Sequence, residues 1–430
     1  MSDTPNLSRA ILVGVTLPGE DVSATETSLD ELERLLDTAG GVCAVKVFQS
    51  KDHPDPRTYV GFGKVGEIAY WCDTEGADLV VFDTELSPAQ IRNLEDLLGD
   101  GIRVIDRSML ILDIFALHAV TGEGKLQVEL AQLKYTAPRL VGHGTEMSRL
   151  GGGIGTRGPG ESKLESDRRH MKRRIAALEA ELAALEQTRR TMRAARDRSG
   201  TPKAAIVGYT NAGKSTLLNA LTDAGILAAD QLFATLDPTT RKLTLPDGSA
   251  VLLTDTVGFI RKLPHHLIHA FRSTLDEVVY ADVLILVVDA SDPEYHAQLE
   301  TTEALLGELG AADKPVLYVF NKCDLGADAS FRAIGTGAAN RRTVCISAVT
   351  GQGIPLLLDC LSELLHDGKR RVVFRIPNAD GGAVNQLYRE AVVESVDYGP
   401  DCVTVTAVVD DRGHGMLRRY DPDWRKPDGE

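Results

Sequence analysis

Short apolar runs alternate with segments of helical periodicity along the first 120 residues. The pattern predicts strands at residues 10–15, 42–47, 79–83 and 103–106, and helices near residues 28–38, 64–72, 87–98 and 108–119. Ser28 and Ser87 have the character of N-caps, because a serine hydroxyl accepts hydrogen bonds from the first free N–H groups of a helix. This alternation is typical of a small parallel α/β sheet.

Residues 121–200 carry a helical pattern instead. A helix over residues 123–141 places Leu126, Leu130 and Leu133 on one face, and Pro138 is expected to end or kink it. Residues 151–160 contain six glycines, too many for a stable helix or strand. A second helix extends to about Arg198, and its apolar residues have the spacing of a two-helix coiled coil. They are Leu164, Met171, Ile175, Leu178, Leu182, Leu185 and Met192. We therefore expect a helical hairpin with a glycine-rich tip.

A second α/β pattern covers residues 201–367, and a small α+β domain is expected over residues 368–430. Strands of the former are predicted at residues 204–207, 250–254, 283–288, 316–320 and 343–346. The latter has predicted strands at residues 372–376 and 403–409, with a helix at residues 383–391 between them. The whole chain is predicted to fold as α/β, with domains at residues 1–120, 121–200, 201–367 and 368–430.

Charge and cysteine content exclude several classes. The 430 residues hold 47 Lys and Arg against 62 Asp and Glu, so any nucleic-acid contact requires a local basic patch. Residues 161–200 supply one, with 11 basic against 7 acidic residues, although a solvated helix face would have the same composition. The six cysteines form no C-x-x-C pair, which argues for a reducing compartment and against a zinc site. We see neither a signal peptide nor a membrane span, and expect a cytosolic protein.

One loop matches the phosphate-binding pattern G-x-x-x-x-G-K-[ST]. It is Gly208-Tyr-Thr-Asn-Ala-Gly-Lys-Ser215, with an apolar strand before it and a helical segment after it. Such loops surround a polyphosphate with backbone N–H groups, and the following helix N-terminus adds positive potential. Lys214 is expected to contact the β- and γ-phosphates, and the Ser215 hydroxyl to bind Mg²⁺.

Three more motifs in the expected order predict a GTPase. Asp255-Thr-Val-Gly258 fits D-x-x-G, whose carboxylate holds Mg²⁺ through water and whose glycine N–H senses the γ-phosphate. Asn321-Lys-Cys-Asp324 fits N-K-x-D, in which the aspartate accepts from guanine N1–H and the 2-amino group. Adenine would leave that carboxylate unpaired, so the motif selects guanine. A backbone N–H of Ser347-Ala348 can bond guanine O6.

Two features concern hydrolysis. A threonine between the P-loop and D-x-x-G is expected to close on Mg²⁺, and the spacing does not choose between Thr235, Thr239 and Thr240. Position 259 is Phe, where Ras-like GTPases have a glutamine that orients the attacking water. We expect slow intrinsic turnover, with the water positioned by a partner or by another group of the chain. The catalytic residue is therefore unassigned.

Two other functions compete with a simple GTPase switch. Residues 61–66 match G-x-G-x-x-G, the dinucleotide fingerprint, but two prolines precede them where a strand is required, which favours a structural turn. The alternative is an RNA-remodelling ATPase or GTPase with a second nucleotide site in the N-terminal domain. A third possibility is a scaffold in which GTP controls a coiled-coil contact through residues 161–198.

Motifs outside the nucleotide site are distinctive. They are Leu86-Ser-Pro-Ala-Gln90, Val104-Ile-Asp-Arg107, Ile111-Leu-Asp-Ile-Phe115, Gly124-Lys-Leu-Gln-Val-Glu-Leu-Ala131 and the glycine-rich residues 152–165. With the GTPase motifs and residues 233–241, they resemble the HflX family over roughly residues 10 to 365. The resemblance implies a P-loop GTPase domain preceded by a small parallel α/β domain with a helical coiled-coil arm.

The resemblance also implies a function. It indicates a Mg²⁺-dependent GTPase that binds the 50S ribosomal subunit through 23S rRNA, is stimulated by the ribosome and splits ribosomes under stress. The arm would reach the rRNA, with flanking cations that neutralise phosphates: Arg149, Arg157, Lys163, Arg168 and Arg169. The resemblance further implies that Thr235 is a Mg²⁺ ligand beside Ser215. We expect a cytoplasmic monomer, and a membrane-peripheral fraction stays open.

The residues predicted to bind GTP or GDP lie in five segments. They are Gly208, Tyr209, Thr210, Asn211, Ala212, Gly213, Lys214, Ser215, Phe233, Ala234, Thr235, Leu236, Asp237, Asp255, Thr256, Val257, Gly258, Asn321, Lys322, Cys323, Asp324, Ser347, Ala348 and Val349.

Overall fold

The computed structural model is an α/β protein with three sheets in succession along the chain, as predicted. It describes residues 8–138, 159–197, 201–222, 232–233, 236, 238–262, 264, 272–326, 341–365 and 369–422. The glycine-rich tip, Arg149, Arg157, Ala234, Thr235, Asp237 and Arg198 lie outside the described residues.

The first sheet is parallel and has the strand order β2-β1-β3-β4. Its strands are β1 (Arg9–Thr16), β2 (Val42–Ser50), β3 (Leu79–Phe82) and β4 (Arg103–Asp106). Its helices are α1 (Val22–Thr38), α2 (Phe62–Glu75), α3 (Pro88–Leu98) and α4 (Arg107–His118). Alternate residues of β1 point to opposite faces, so Leu12 packs in the core with α1 and α4, whereas Ile11 packs in the core with α2 and α3.

The two predicted N-caps differ in outcome. Ser87 caps α3 and forms a capping box with Gln90, which confirms the prediction. The prediction for Ser28 is wrong, because α1 begins six residues earlier and its N-cap is Asp21, whose carboxylate accepts from Ser23 N. Ser28 instead lies inside α1, buried, and its hydroxyl donates to Asp83 Oδ2 at 2.6 Å. The first turns of α1 are mostly polar, so the apolar periodicity that predicts a helix begins only near Ser28.

The helical arm consists of α5 (Gly122–Thr136) and α6 (Pro159–Asp197). Among the described side chains, three ion pairs join the two helices: Arg174 with Glu129, Lys134 with Glu179, and Arg189 with Glu123. Val128, Ala131 and Tyr135 of α5 are buried in the core of the N-terminal sheet. The predicted hairpin is therefore present in its described part, and α5 anchors it to the first sheet.

The second sheet has the order β10-β9-β8-β5-β7-β6. Its strands are β5 (Lys203–Gly208), β6 (Thr239–Thr244), β7 (Ala250–Asp255), β8 (Val283–Asp289), β9 (Val316–Asn321) and β10 (Arg341–Cys345). Around them lie α7 (Lys214–Thr222), α8 (Arg272–Tyr280), α9 (Tyr295–Glu308) and α10 (Ile354–Leu365). All pairs are parallel except β6 with β7. The sequence did not indicate β6, because an exposed edge strand of Thr, Arg and Lys has little apolar content.

The C-terminal sheet is antiparallel, with the order β11-β13-β12. It contains β11 (Lys369–Pro377), α11 (Gly381–Glu390), β12 (Val392–Tyr398), β13 (Cys402–Asp410) and α12 (Asp411–Leu417). Phe374, Leu387 and Val405 are fully buried at its centre. No helix among the described residues is long and apolar enough to cross a membrane.

A buried ion group joins the first sheet to the second. Arg107 is 1% exposed and donates to Glu31 Oε2 and Asp83 Oδ1 of the N-terminal domain, both at 2.6 Å. It also donates to the carbonyl oxygen of Arg261, in the segment after D-x-x-G, at 3.1 Å. Burial alone would lower the pKa of Arg107, but the two carboxylates outweigh it and raise the pKa. The guanidinium therefore stays charged in the interior.

Replacing Arg107 with Met should lower the free energy of unfolding by about 3–5 kcal/mol, because Glu31 and Asp83 would lose their buried counter-charge. Urea denaturation followed by circular dichroism measures this change. The matched control is Arg9→Met, which removes an exposed pair with Glu75 and should cost less than about 1 kcal/mol. Equal losses in the two variants would contradict the role assigned to Arg107.

Candidate nucleotide site

The P-loop joins β5 to α7, as its motif predicts, and its shape depends on two glycines. Gly208 has φ 151°, and a Cβ there would overlap the carbonyl oxygen of Val287. Gly213 has φ 91°, and a Cβ there would overlap the side-chain nitrogen of Asn321. Both positions therefore exclude any residue with a side chain, which explains the spacing of the motif.

Asn321 connects the P-loop to the loop after β10. Its Nδ2 donates to the Ala212 carbonyl oxygen at 2.9 Å, and its Oδ1 accepts from Ala348 N at 3.0 Å. The side chain is 2% exposed, so both bonds form away from water. Asn321 thereby fixes the P-loop relative to Ser347–Val349, the segment that the sequence predicts to contact the guanine base.

Lys214 is buried at the first residue of α7. Its Nζ donates to the Tyr209 carbonyl oxygen at 2.7 Å. Burial lowers the pKa of Lys214 to about 8, and the nearby Asp255 carboxylate offsets part of that shift. A poorly solvated ammonium next to free N–H groups of a helix start attracts an anion strongly.

Ser215 and Asp255 lie together beside the P-loop. The Ser215 hydroxyl donates to Asp255 Oδ2 at 2.8 Å, and Asp255 is fully buried. A hydroxyl and a carboxylate are the hard oxygen ligands that Mg²⁺ prefers, so the pair fits this metal. The Thr210 hydroxyl is also buried, and has no hydrogen-bond partner among the described residues.

The N-K-x-D motif, Asn321–Asp324, begins at the last residue of β9. Lys322 has φ 64°, and its ammonium pairs with Asp289 Oδ2 at 2.6 Å. Asp324 lies in a 3-10 turn, Cys323–Leu325, and is exposed. Its carboxylate is therefore accessible to a guanine, and Val349 is exposed as well.

The segment between P-loop and D-x-x-G packs on the N-terminal domain. Phe233 is buried, with its ring edge against Phe115 at a centroid distance of 4.7 Å, and Leu236 belongs to the same core. Thr239 and Thr240 belong to β6, where the Thr240 hydroxyl bonds the Thr254 hydroxyl at 2.9 Å. This arrangement disfavours Thr240 as the Mg²⁺ ligand, while Thr235 lies outside the described residues.

Phe259 points into the core of the GTPase domain. It is 2% exposed and belongs to the cluster of Val207, Leu275 and Leu286. Its backbone pairs with the P-loop, since Phe259 N donates to Gly208 O at 3.0 Å and Thr210 N donates to Phe259 O at 2.8 Å. A glutamine here would be buried, so a Phe259→Gln change is not expected to restore water positioning.

The glycine-rich residues 61–66 have the geometry of a helix start. Gly61 is the N-cap of α2, and its N–H donates to Gln49 Oε1 at 2.8 Å. The strand β2 ends at Ser50, so a loop rather than a strand leads into the segment. This geometry differs from the dinucleotide fingerprint and agrees with the structural turn.

Sequence patterns missed the residues that surround Tyr209. Its hydroxyl donates to Glu31 and accepts from Arg261 N at 2.8 Å. Burial, strengthened by Glu31, raises the pKa of Tyr209 far above its usual value, so the phenol stays protonated. Glu31 is 178 positions away, and no local signal could have paired the two.

Three family models match the chain in succession. The model described as GTP-binding GTPase N-terminal matches residues 26–116, and GTP-binding GTPase Middle Region matches residues 118–196. The third, described as 50S ribosome-binding GTPase, matches residues 203–322.

Curated relatives match over most of the chain. GTPase HflX of Lacrimispora saccharolytica is 51% identical over 401 residues, which are 93% of each chain. GTPase HflX of Escherichia coli K12 is 45% identical over 366 residues, 85% of each chain. Among solved structures, a GTP-binding protein from Sulfolobus solfataricus in complex with GDP is 26% identical, covering 84% of this chain and 99% of that one with a TM-score of 0.45.

The Lacrimispora and Escherichia coli relatives exceed 40% identity over at least 85% of this chain and of their own length. The chain therefore belongs to the HflX family of GTPases and is a GTP hydrolase.

Proposed function

We propose that this GTPase binds the 50S ribosomal subunit, is stimulated by it, and separates ribosomes under stress. The observation that carries the proposal is a group of exposed basic side chains on α6. Arg174 and Arg189 pair with acidic residues of α5, whereas Arg168, Arg169, Lys172 and Arg173 are exposed and form no ion pair with the described residues. Exposed cations on a helix are suited to neutralise RNA phosphates.

The second helix of the arm is long. Helix α6 has 39 residues, which corresponds to a length of about 58 Å at 1.5 Å per residue. The exposed cations, residues 168–173, lie in the third to fifth turns of α6 and follow the glycine-rich segment at residues 151–160 in the sequence. Because α5 is anchored in the N-terminal core, binding at the tip would be transmitted to the rest of the protein.

Phe259 supports dependence on a partner. Its ring lies in the core and carries no group that can orient a water molecule. The group that does so would come from the ribosome or from elsewhere in the chain, which makes hydrolysis conditional on binding. We expect the protein to act as a cytoplasmic monomer.

The proposal includes the nucleotide and metal ligands. GTP would lie along residues 208–215, with Lys214 at the β- and γ-phosphates and Asp324 at the base. Ser215 would bind Mg²⁺, which neutralises charge on the phosphates, and Asp255 would hold the metal through water. Thr235 is the proposed ligand from the switch segment. The Asn321 bonds would keep phosphate and base sites in register.

Asp324→Asn should weaken GTP binding by about 100-fold or more, because an amide cannot accept both guanine donors. Xanthosine triphosphate has an oxygen in place of the 2-amino group and should bind better to the variant than to the wild type. Equilibrium titration with each nucleotide measures both changes. Asp313→Asn, another exposed aspartate of the same domain, is the control, and equal GTP affinities in the two variants would contradict the assignment.

Ser215→Ala should raise the Mg²⁺ concentration for half-maximal GTP hydrolysis by about tenfold or more, because one protein ligand is lost. The measurement is a Mg²⁺ titration of phosphate release. Ser249→Ala, in the exposed turn between β6 and β7, is the matched control. An unchanged Mg²⁺ requirement in Ser215→Ala would exclude Ser215 as a ligand.

The double variant Arg168→Gln/Arg169→Gln should bind 50S subunits about tenfold more weakly, with a salt dependence reduced by about two phosphate contacts. Sedimentation with purified 50S subunits at several salt concentrations measures binding, and phosphate release with and without 50S measures stimulation. A variant with residues 151–160 shortened should lose the stimulation.

The control for this experiment is Arg371→Gln/Arg375→Gln in the exposed face of the C-terminal sheet. If the arm variants bind and respond like the wild type, the arm is not the RNA-binding element. If 50S subunits do not stimulate the wild type, the ribosomal role itself fails.

A further inference from the structure

The hydroxyl of Thr210, the third residue of the P-loop, is buried without a hydrogen-bond partner. Thr210 is 7% exposed, and its Oγ1 forms no hydrogen bond in the part of the chain that the structure describes. Most buried hydroxyls in proteins are bonded, and an unbonded one costs the free energy of its lost hydration. A methyl group of the same shape would stabilise the fold better, so the hydroxyl is suited to a partner that arrives with a ligand.

Thr210 lies beside the groups that are expected to bind the γ-phosphate. The Lys214 ammonium donates to the carbonyl oxygen of Tyr209, which belongs to the same peptide group as Thr210 N. Gly258, whose N–H is expected to sense the γ-phosphate, lies against the Thr210 side chain, since a Cβ at position 258 would overlap Thr210 Cγ2. The unbonded hydroxyl is therefore next to the lysine and the glycine that the motifs assign to one phosphoryl group.

The backbone of Thr210 is also paired with position 259, from which a glutamine orients the attacking water in Ras-like GTPases. Thr210 N donates to Phe259 O at 2.8 Å, and Phe259 N donates to Gly208 O at 3.0 Å. The Phe259 ring lies in the core and has no polar group. At this pairing the side-chain hydroxyl is supplied by the P-loop and not by the D-x-x-G segment.

We infer that the Thr210 hydroxyl binds the attacking water in GTP hydrolysis and makes the contact that Phe259 cannot make. A threonine hydroxyl can accept a hydrogen bond from water and thereby orient its free lone pair. The water oxygen bonds to the γ-phosphorus as the bond from phosphorus to the β–γ bridging oxygen breaks. One water proton passes to a γ-phosphate oxygen, which gives GDP and dihydrogen phosphate. The inference rests on the nucleotide site of the proposed function and does not depend on the ribosome.

Two substitutions at this position separate the hydroxyl from the shape of the side chain. Thr210→Val removes the hydroxyl and keeps the branched shape, whereas Thr210→Ser keeps the hydroxyl. GTP hydrolysis is followed in single turnover with protein in excess, in Mg²⁺ buffer without ribosomes. Thr210→Val should be slower by about tenfold or more, because the reacting water loses a hydrogen bond, and Thr210→Ser should stay within about threefold of the wild type.

Nucleotide affinity and stability separate catalysis from binding and folding. The affinities of Thr210→Val for GDP and for the non-hydrolysable analogue guanylyl imidodiphosphate, measured by calorimetry, should change by less than about twofold. Its urea midpoint without nucleotide should equal or exceed that of the wild type, because a methyl group replaces an unbonded hydroxyl. A threonine with a purely structural role would instead lower the midpoint together with the rate.

Thr302→Val is the matched control. Thr302 is buried in α9 of the same domain, and its hydroxyl donates to the Gln298 carbonyl oxygen at 2.8 Å. This variant should hydrolyse GTP within about twofold of the wild-type rate, since its hydroxyl is bonded within the helix.

Two results would overturn the inference. One is a wild-type rate in Thr210→Val. The other is a rate loss matched by a loss of affinity for the triphosphate analogue, because the hydroxyl would then bind the γ-phosphate and not the water. Failure of the wild type to bind GTP is a different outcome, which would overturn the nucleotide site itself.

Discussion

The buried pairing of Arg107 with Glu31 and Asp83 is the interaction on which the arrangement of the first two sheets depends. A buried guanidinium is costly unless it has partners that compensate for the loss of water. Here the guanidinium has two carboxylates and, in addition, the Arg261 carbonyl oxygen of the other domain. These three charged residues belong to one domain, and they contact the other through the Arg261 carbonyl oxygen, the Tyr209 hydroxyl and the Lys262 ammonium. Another relative placement of the two domains would lose these contacts, so the network favours the observed one. The apolar cluster that contains both Leu12 and Phe233 adds to this preference.

The same placement gives the nucleotide site its surroundings. The P-loop itself is shaped within the GTPase domain, by Gly208, Gly213 and the two bonds of Asn321. Its second residue is Tyr209, whose hydroxyl donates to Glu31 of the N-terminal domain and accepts from the backbone N–H of Arg261. The loop predicted to bind phosphate is thus connected to the N-terminal domain through the Tyr209 hydroxyl. This connection is a physical route by which the GTPase cycle and the position of the arm can affect each other.

The basic side chains of α6 differ in their surroundings along the helix. Cations that face α5 are paired and stabilise the hairpin, whereas those in the early turns of α6 are exposed. A net charge of −15 makes non-specific attraction to RNA weak, so binding would be confined to this local patch. An acidic body with a basic arm is suited to recognition at the arm alone.

The sequence by itself determined the α/β class, most strands of the first two sheets, the helical hairpin, the P-loop and the N-K-x-D motif. These features depend on local spacing, such as the six positions between Gly208 and Ser215, and local spacing is visible in a chain. It also indicated that Phe259 replaces a catalytic glutamine. It did not indicate β6 or β12, because edge strands bury too few residues to leave an apolar pattern. It misplaced the start of α1, whose first turns are polar.

Only the tertiary structure decided that Glu31, Asp83 and Arg107 meet the P-loop and the segment after D-x-x-G. The contacting side chains are separated by as many as 179 positions, and a charged residue in a predicted helix is normally solvated. Whether such a charge is buried depends on which helix face meets another domain, and that depends on packing of the whole chain. The local pattern of Gly208–Ser215 therefore predicted a phosphate site, and the folded contacts of Tyr209 added its link to the N-terminal domain.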